Sequence, residues 1–340
     1  MSDSFADLVD LASERLGGAM VAANDEFFAP KENLLRVEAP IWREGEYTDH
    51  GKWMDGWETR RRRDVLPGEP DFSQAHDWCI VRLGARGAIG GVDVETTYFK
   101  GNFPESCAIE SCLVPGARTL NDLDQAAWQS VLDRSPLRGD AHNLFDVASV
   151  DATHVRLRIF PDGGVARLRV YGDVLPDWEE LRQHGEIDLA AVLNGGRVVA
   201  CSDMFFGSRN NLIMPGSAGS MADGWETKRR RTPGHDWTVI RLGGPGTIRR
   251  IEVDTRHFKG NAPAACSLET CVLPSAQSAA AWDLAPKPEW AELLPRTPLQ
   301  ADHRHAFDVA SDAAAAVTHV RLNIFPDGGV SRVRLFGRLQ

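Results

Sequence analysis

The chain has 340 residues, of which 43% are hydrophobic and 25% charged, with a formal net charge of −10. That length exceeds what one hydrophobic core usually serves and points to two domains, and the composition is that of a folded globular protein rather than a fibrous or disordered one. The acidic balance counts against a general nucleic-acid binder, and no apolar run approaches the roughly 18 residues needed to cross a bilayer.

The N-terminal Met1-Ser2-Asp3-Ser4-Phe5-Ala6-Asp7 is acidic and lacks the basic-then-apolar order of a secretory signal, so a cytoplasmic location is expected. Helical periodicity is weak throughout. Its best stretches are Asp3 to Leu16, Leu123 to Leu132 and Asp177 to His184. The β signal is stronger. Cys79 to Leu83, Ile89 to Thr96 and Cys107 to Val114 read as strands. Val155, Leu157 and Ile159 alternate with Arg156, Arg158 and Phe160, and Pro161-Asp162-Gly163-Gly164 follows as a turn. With Val165 to Val170 continuing the alternation, this segment predicts a hairpin, repeated at Val320 to Leu335. Many short strands between Gly/Pro turns predict an all-β fold with few short helices, a sandwich or jelly roll.

The chain repeats itself in one order. Asp55-Gly56-Trp57-Glu58-Thr59, followed by four basic residues, recurs as Asp223-Gly224-Trp225-Glu226-Thr227 with its own basic run. His76-Asp77-Trp78 recurs as His235-Asp236-Trp237, and Phe99-Lys100-Gly101-Asn102 as Phe258-Lys259-Gly260-Asn261. Ile159 to Val165 recurs as Ile324 to Val330. The register changes only in loops, at Pro40 to Lys52 and at Asp64 to Ala75, as a shared scaffold requires. Two tandem repeats are expected, 1–173 and 174–340, with the linker near Asp173 to Gly185. The duplicated C-x4-C pairs, Cys107/Cys112 and Cys266/Cys271, have the wrong spacing for a zinc knuckle and read as buried, reduced thiols.

Several repeated side chains suit recognition of a small polar molecule. Arginine forks match carboxylate and urea-like oxygens, which singles out Arg61, Arg62, Arg229 and Arg230. If the basic run is a strand, Glu58, Arg60 and Arg62 share one side, and Thr59, Arg61 and Arg63 the other. His76 and His235, each beside an Asp, are acid–base candidates. Lys100, Asn102, Lys259 and Asn261 are loop donors for an anion or an amide oxygen, next to a Gly that lets the backbone approach a ligand. Arg167 and Arg332 follow the Asp-Gly-Gly turn closely enough to reach a site near it. Tyr98 is replaced by His257, Thr97 by Arg256 and His142 by Arg304, and His305 aligns with Asn143; either each copy supplies half of one composite site or one copy carries it alone, and the differences slightly favour the second. Ten His and many carboxylates are compatible with a divalent ion, but no dense ligand cluster compels one, and no metal ligand is assigned. The nucleophile elbow, P-loop, dinucleotide fingerprint and H-E-x-x-H motifs do not occur.

The motifs D-G-W-E-T-x-R-R-R, H-D-W, F-K-G-N and I-F-P-D-G-G-V, each present twice, resemble those of the allantoicase family over essentially the whole chain, from about Asp7 to Gln340. The resemblance implies a repeated jelly-roll β-sandwich related to galactose-binding-like modules. It also implies hydrolysis of allantoate to ureidoglycolate and urea in purine degradation, by a homo-oligomer. The expected partner is the small-molecule ureide, with no nucleic acid, membrane or required cofactor. Allantoate carries one carboxylate and two ureido groups on one carbon. On that chemistry Glu58 and Glu226 are expected as base or ureido acceptor, with Asp55 and Asp223 as further acceptors. His76, His235 and His257 are the acid candidates, Arg61, Arg62, Arg229 and Arg230 the carboxylate clamps, and Asn102 and Asn261 the orienters. The competing expectation is a non-catalytic carbohydrate- or protein-binding module with Trp57, Trp78 and their counterparts as platforms.

Overall fold

The computed structural model describes residues 5–63, 72–273, 288–309 and 315–340. It falls into two compact units, one ending at Leu175 and the other running from Pro176 to Gln340. Each is an antiparallel β-sandwich built on the same plan. In the first, the strand order is Val9–Asp10, Arg167–Val174, Asp77–Glu95, Leu144–Phe160, Ser106–Cys112 and Gln129–Pro136, with Ala19–Ala23 also paired to Asp77–Glu95. In the second, the order is Ile187–Asp188, Arg332–Leu339, Asp236–Asp254, Val317–Phe325, Ala265–Cys271 and Ala291–Pro298. Arg197–Cys201 and Arg304–Asp308 there pair with Asp236–Asp254.

One long strand serves both layers of the first unit. Residues 79–82 of Asp77–Glu95 pair with Ala19–Ala23, and 77–82 pair with 154–159. After a register slip between Arg82 and Gly87, the strand pairs with 144–152 on one side and with Arg167–Val174 on the other. A strand that changes partners at an irregularity is how a sandwich makes a corner. The two segments expected as separate strands, Cys79 to Leu83 and Ile89 to Thr96, are therefore one. Alternation then sets the core: Val155, Leu157 and Ile159 are fully buried, while Arg156 and Arg158 turn to Glu110 at 2.7 and 3.7 Å. Cys107, Cys112, Cys266 and Cys271 are free, buried thiols. Burial pushes the thiol of Cys107 up to about 12 and that of Cys112 to about 11.

Two local readings are corrected. Leu144–Phe160 and Arg167–Val174 do not pair with each other; both flank Asp77–Glu95, so Pro161 to Gly164 is a crossing link rather than a hairpin turn. The same holds for Val317–Phe325 and Arg332–Leu339 around Asp236–Asp254. Alternation specifies which face a residue takes and not which strand it pairs with. Two of the three helical stretches are also absent among the described residues. From Phe5 to Leu16 there are two 3-10 turns around the strand Val9–Asp10, because the Asp10 carboxylate accepts from Ala12 and Val170 N–H at 3.0 Å. Leu123 ends another 3-10 turn, and Gln129–Pro136 is a strand on Ser106–Cys112. The third, Trp178–Gln183, is an α-helix, capped by Asp177 accepting from Glu179 and Glu180 N–H.

Candidate active site

The repeated motifs converge in space. Trp57 is fully buried and its indole N–H donates to Asp25 O at 2.8 Å, which pins the neighbouring Glu58. Trp57–Glu58 pairs with Gly164–Val165, and Glu58 also bridges to Ala29. Gly164 has to be glycine, since a Cβ there would lie 2.0 Å from the buried Phe99 ring. Its N–H donates to Asn102 O at 2.8 Å, and Asn102 Nδ2 in turn donates to Glu58 Oε1 at 2.7 Å. The D-G-W-E, F-K-G-N and P-D-G-G motifs are thus three walls of one corner. In the second repeat Gly329 N–H donates to Asn261 O and Asn261 to Glu226 Oε1 in the same way.

In the first repeat this corner opens into a cavity of about 860 Å³. Glu58, Lys100 and Asn102 line it together with Phe28, Met54 and Tyr98, and with Trp42, Glu44 and Lys52 from the Pro40 to Lys52 insertion. Burial raises the Glu58 carboxyl above its usual range, against the opposing pull of the Asn102 amide and the Arg61 charge. Tyr98 sits at φ 71°, a left-handed backbone that costs a bulky residue energy and that clusters at functional sites. Its N–H is held by Asp140 Oδ1 at 2.8 Å, and Asp140 also stands 3.7 Å from Lys100 Nζ. A pocket of this size with apolar walls and few convergent polar groups suits a small ligand.

The other candidates fall elsewhere. Arg61 pairs with Asp162 at 2.9 Å and Arg62 with Asp77 at 2.9 Å, and Arg62 N–H also donates to Asp162 Oδ2. Only Trp57 and Glu58 are strand, so the expected two-sided alternation does not extend along the basic run. Asp55 is buried on Arg167, with Arg167 Nη2 at 2.9 Å. Asp223 and Arg332 form the corresponding buried pair at 3.0 Å. His76 donates through Nδ1 to Gln74 O and lies against Phe160, while His235 donates to Asn323 Oδ1 and lies against Phe325. His257, at φ 73°, donates to Ala218 O at 2.9 Å. Arg230 reaches Asp236 at 2.7 Å, Arg229 is exposed, and Lys259 stands 3.9 Å from Asp302. The link from Asn211 to Asp223 is ten residues shorter than that from Asn33 to Asp55, and Met221 Sδ lies 3.9 Å from Asn261 Nδ2. The cavity thus adjoins the first-repeat corner, whereas the sequence differences pointed to the second.

Sequence reasoning missed Trp42, Glu44 and Lys52 altogether. Their signal was present as an insertion confined to one repeat. Trp57 and Trp225 are fully buried, so neither is a sugar platform. Among the described residues no group of three or more His, Cys, Asp or Glu is arranged to hold a metal ion, and no helix is long and apolar enough to cross a membrane.

Fold and corner together define a duplicated jelly-roll β-sandwich with a cavity beside the first-repeat corner. The allantoicase repeat model matches residues 9–175 and 187–340. A probable allantoicase of Photobacterium profundum is 46% identical over 98% of this chain and 97% of its own, and one of Pseudomonas paraeruginosa 47% over 99% and 97%. The solved allantoicase of Saccharomyces cerevisiae superposes with a TM-score of 0.78 at 36% identity, covering 97% of this chain and 92% of its own. The chain belongs to the allantoicase family.

Proposed function

We propose that this protein hydrolyses allantoate to ureidoglycolate and urea, a step of purine degradation, in the first-repeat cavity. Relatives named as probable allantoicases, similar along almost the whole chain, support the reaction. The observation that carries the site is Glu58, raised in pKa and held by Asn102 inside a cavity that also contains Lys100.

The scissile bond joins an sp3 carbon to a ureido nitrogen, and that carbon bears a second nitrogen. Protonated Glu58 donates to the leaving ureido nitrogen as the C–N bond breaks, and the remaining nitrogen lone pair supports the cation. The Glu58 carboxylate then takes a proton from the attacking water as the C–O bond forms. Urea leaves, ureidoglycolate remains, and Glu58 ends as it began. A carboxyl raised by burial suits this exchange, because its proton affinity sits nearer to neutrality than that of a free glutamate. Asn102 fixes the Glu58 rotamer and Lys100 faces the ureido oxygens. The balance closes with water alone, so no cofactor is written into it. The family resemblance supports action in the cytoplasm as a homo-oligomer of two-repeat chains that divide near residue 173.

Urea release from allantoate tests the assignment. Glu58→Gln should lose at least about 100-fold in kcat, the order of a general acid–base contribution. Glu226→Gln should keep turnover within a few-fold. Equal activity of Glu58→Gln and wild type would remove Glu58 from the chemistry.

A further inference from the structure

The substrate carboxylate is still without a partner, because the arginines suited to clamp it, Arg61 and Arg62, are held by Asp162 and Asp77. We propose that Lys52 takes that carboxylate, which makes the first-repeat insertion the element that selects acidic ureides. The inference rests on the reaction and cavity assigned above.

Two cations line the cavity, Lys52 and Lys100. Lys100 stands 3.7 Å from Asp140 Oδ2, whereas among the described residues no carboxylate lies within ion-pairing distance of Lys52. Lys52 is nevertheless held in place. Its Nζ sits 3.9 Å from the centroid of the Trp42 ring, whose indole N–H donates to Glu44 Oε2 at 2.8 Å. Tyr98 flanks the same ring at 5.8 Å. A short hairpin shapes the insertion, with Tyr47–Thr48 paired to Gly51–Lys52 and Trp53 N–H donating to Glu46 O, and its start is tied to Asp55 Oδ2 by the Ile41 N–H.

An ammonium seated on an aromatic face gives up water on that side and keeps donors on the other. A lysine so placed, with no described carboxylate in ion-pairing distance and an open cavity beside it, is arranged to receive an anion. Glu44 lines the same cavity, and its carboxylate accepts from the Trp42 indole N–H. The second repeat lacks the corresponding segment, which is ten residues shorter.

The test uses the full-length protein with two substrates, allantoate and its neutral carboxamide, and with Lys52→Met and Lys52→Arg. Lys52 is exposed, so both variants should fold with the wild-type circular dichroism spectrum. Lys52→Met should raise the KM for allantoate at least about ten-fold with kcat within about three-fold, the pattern of lost uniform binding. The kcat/KM for the carboxamide should not move, and Lys52→Arg should restore most of the allantoate affinity. If Lys52→Met leaves the KM for allantoate unchanged, or lowers kcat/KM equally for both substrates, the carboxylate role is overturned while the reaction stands. If wild type releases no urea from allantoate, the functional reading itself fails.

Discussion

Glu58 shows how one side chain is shaped by conflicting demands. Burial disfavours its charge, and the Asn102 amide and the Arg61 guanidinium offset only part of that cost. The sign has a consequence for stability. A carboxyl whose folded pKa lies above its unfolded one favours the folded state only when protonated. Its ionisation therefore destabilises the protein increasingly as pH rises through the two values. Gln at this position keeps an oxygen for Asn102 Nδ2 and carries no charge. Glu58→Gln should thus melt at a temperature equal to or above wild type at pH 7, and the difference should shrink towards zero below the usual glutamate pKa. Thermal melts across pH 4 to 8 read this directly, and a variant that is less stable at pH 7 than at pH 4, relative to wild type, would contradict it. Residue type and repetition had marked Glu58 and Asn102 as functional. They had marked Arg61, Arg62 and Asp55 equally, because a sequence pattern cannot tell a carboxylate that awaits a substrate from one already claimed by Arg167.

At the level of elements, legibility depended on range. Burial phase and the Trp178–Gln183 helix are local and could be read, as could the sandwich class that follows from many short strands. Partner choice is not local. The 144–160 and 167–174 strands sit on either side of 77–95, a pairing that no alternation within 155–170 encodes. The Asp55–Arg167 pair is non-local in the same sense, crossing from the D-G-W-E motif to the strand after the crossing link. Arg167 is 1% exposed and its fork also donates to the Asp55 backbone oxygen. Removing one partner of a buried pair strands the other charge, at a cost of roughly 3–5 kcal/mol. Asp55→Ala should therefore lower the free energy of unfolding, measured in urea, by that order. A rise in KM with unchanged stability would instead return Asp55 to the binding site.

Across the whole molecule the duplication preserves the scaffold and lets the pocket diverge. Asp10 and Asp188 hold matching backbone N–H groups, Phe99 and Phe258 fill matching cores, and the two cis peptide bonds, Phe160-Pro161 and Phe325-Pro326, correspond. Buried histidines belong to this shared scaffold. His154 and His319 both take a threonine hydroxyl at Nδ1, and both are 1% exposed. Burial, reinforced by the nearby Arg241 charge, depresses His319 to about 4, and burial also lowers His154. The folded protein then refuses a proton that the unfolded chain accepts, so stability falls as pH drops from about 6.5 to about 4. For His319 the loss over that interval is on the order of 3 kcal/mol. His319→Gln cannot titrate. Its stability in urea, measured at pH 7, 6 and 5, should decline less steeply than that of wild type. Parallel declines would show that His319 takes up its proton in the folded state, and would remove it as a source of acid sensitivity.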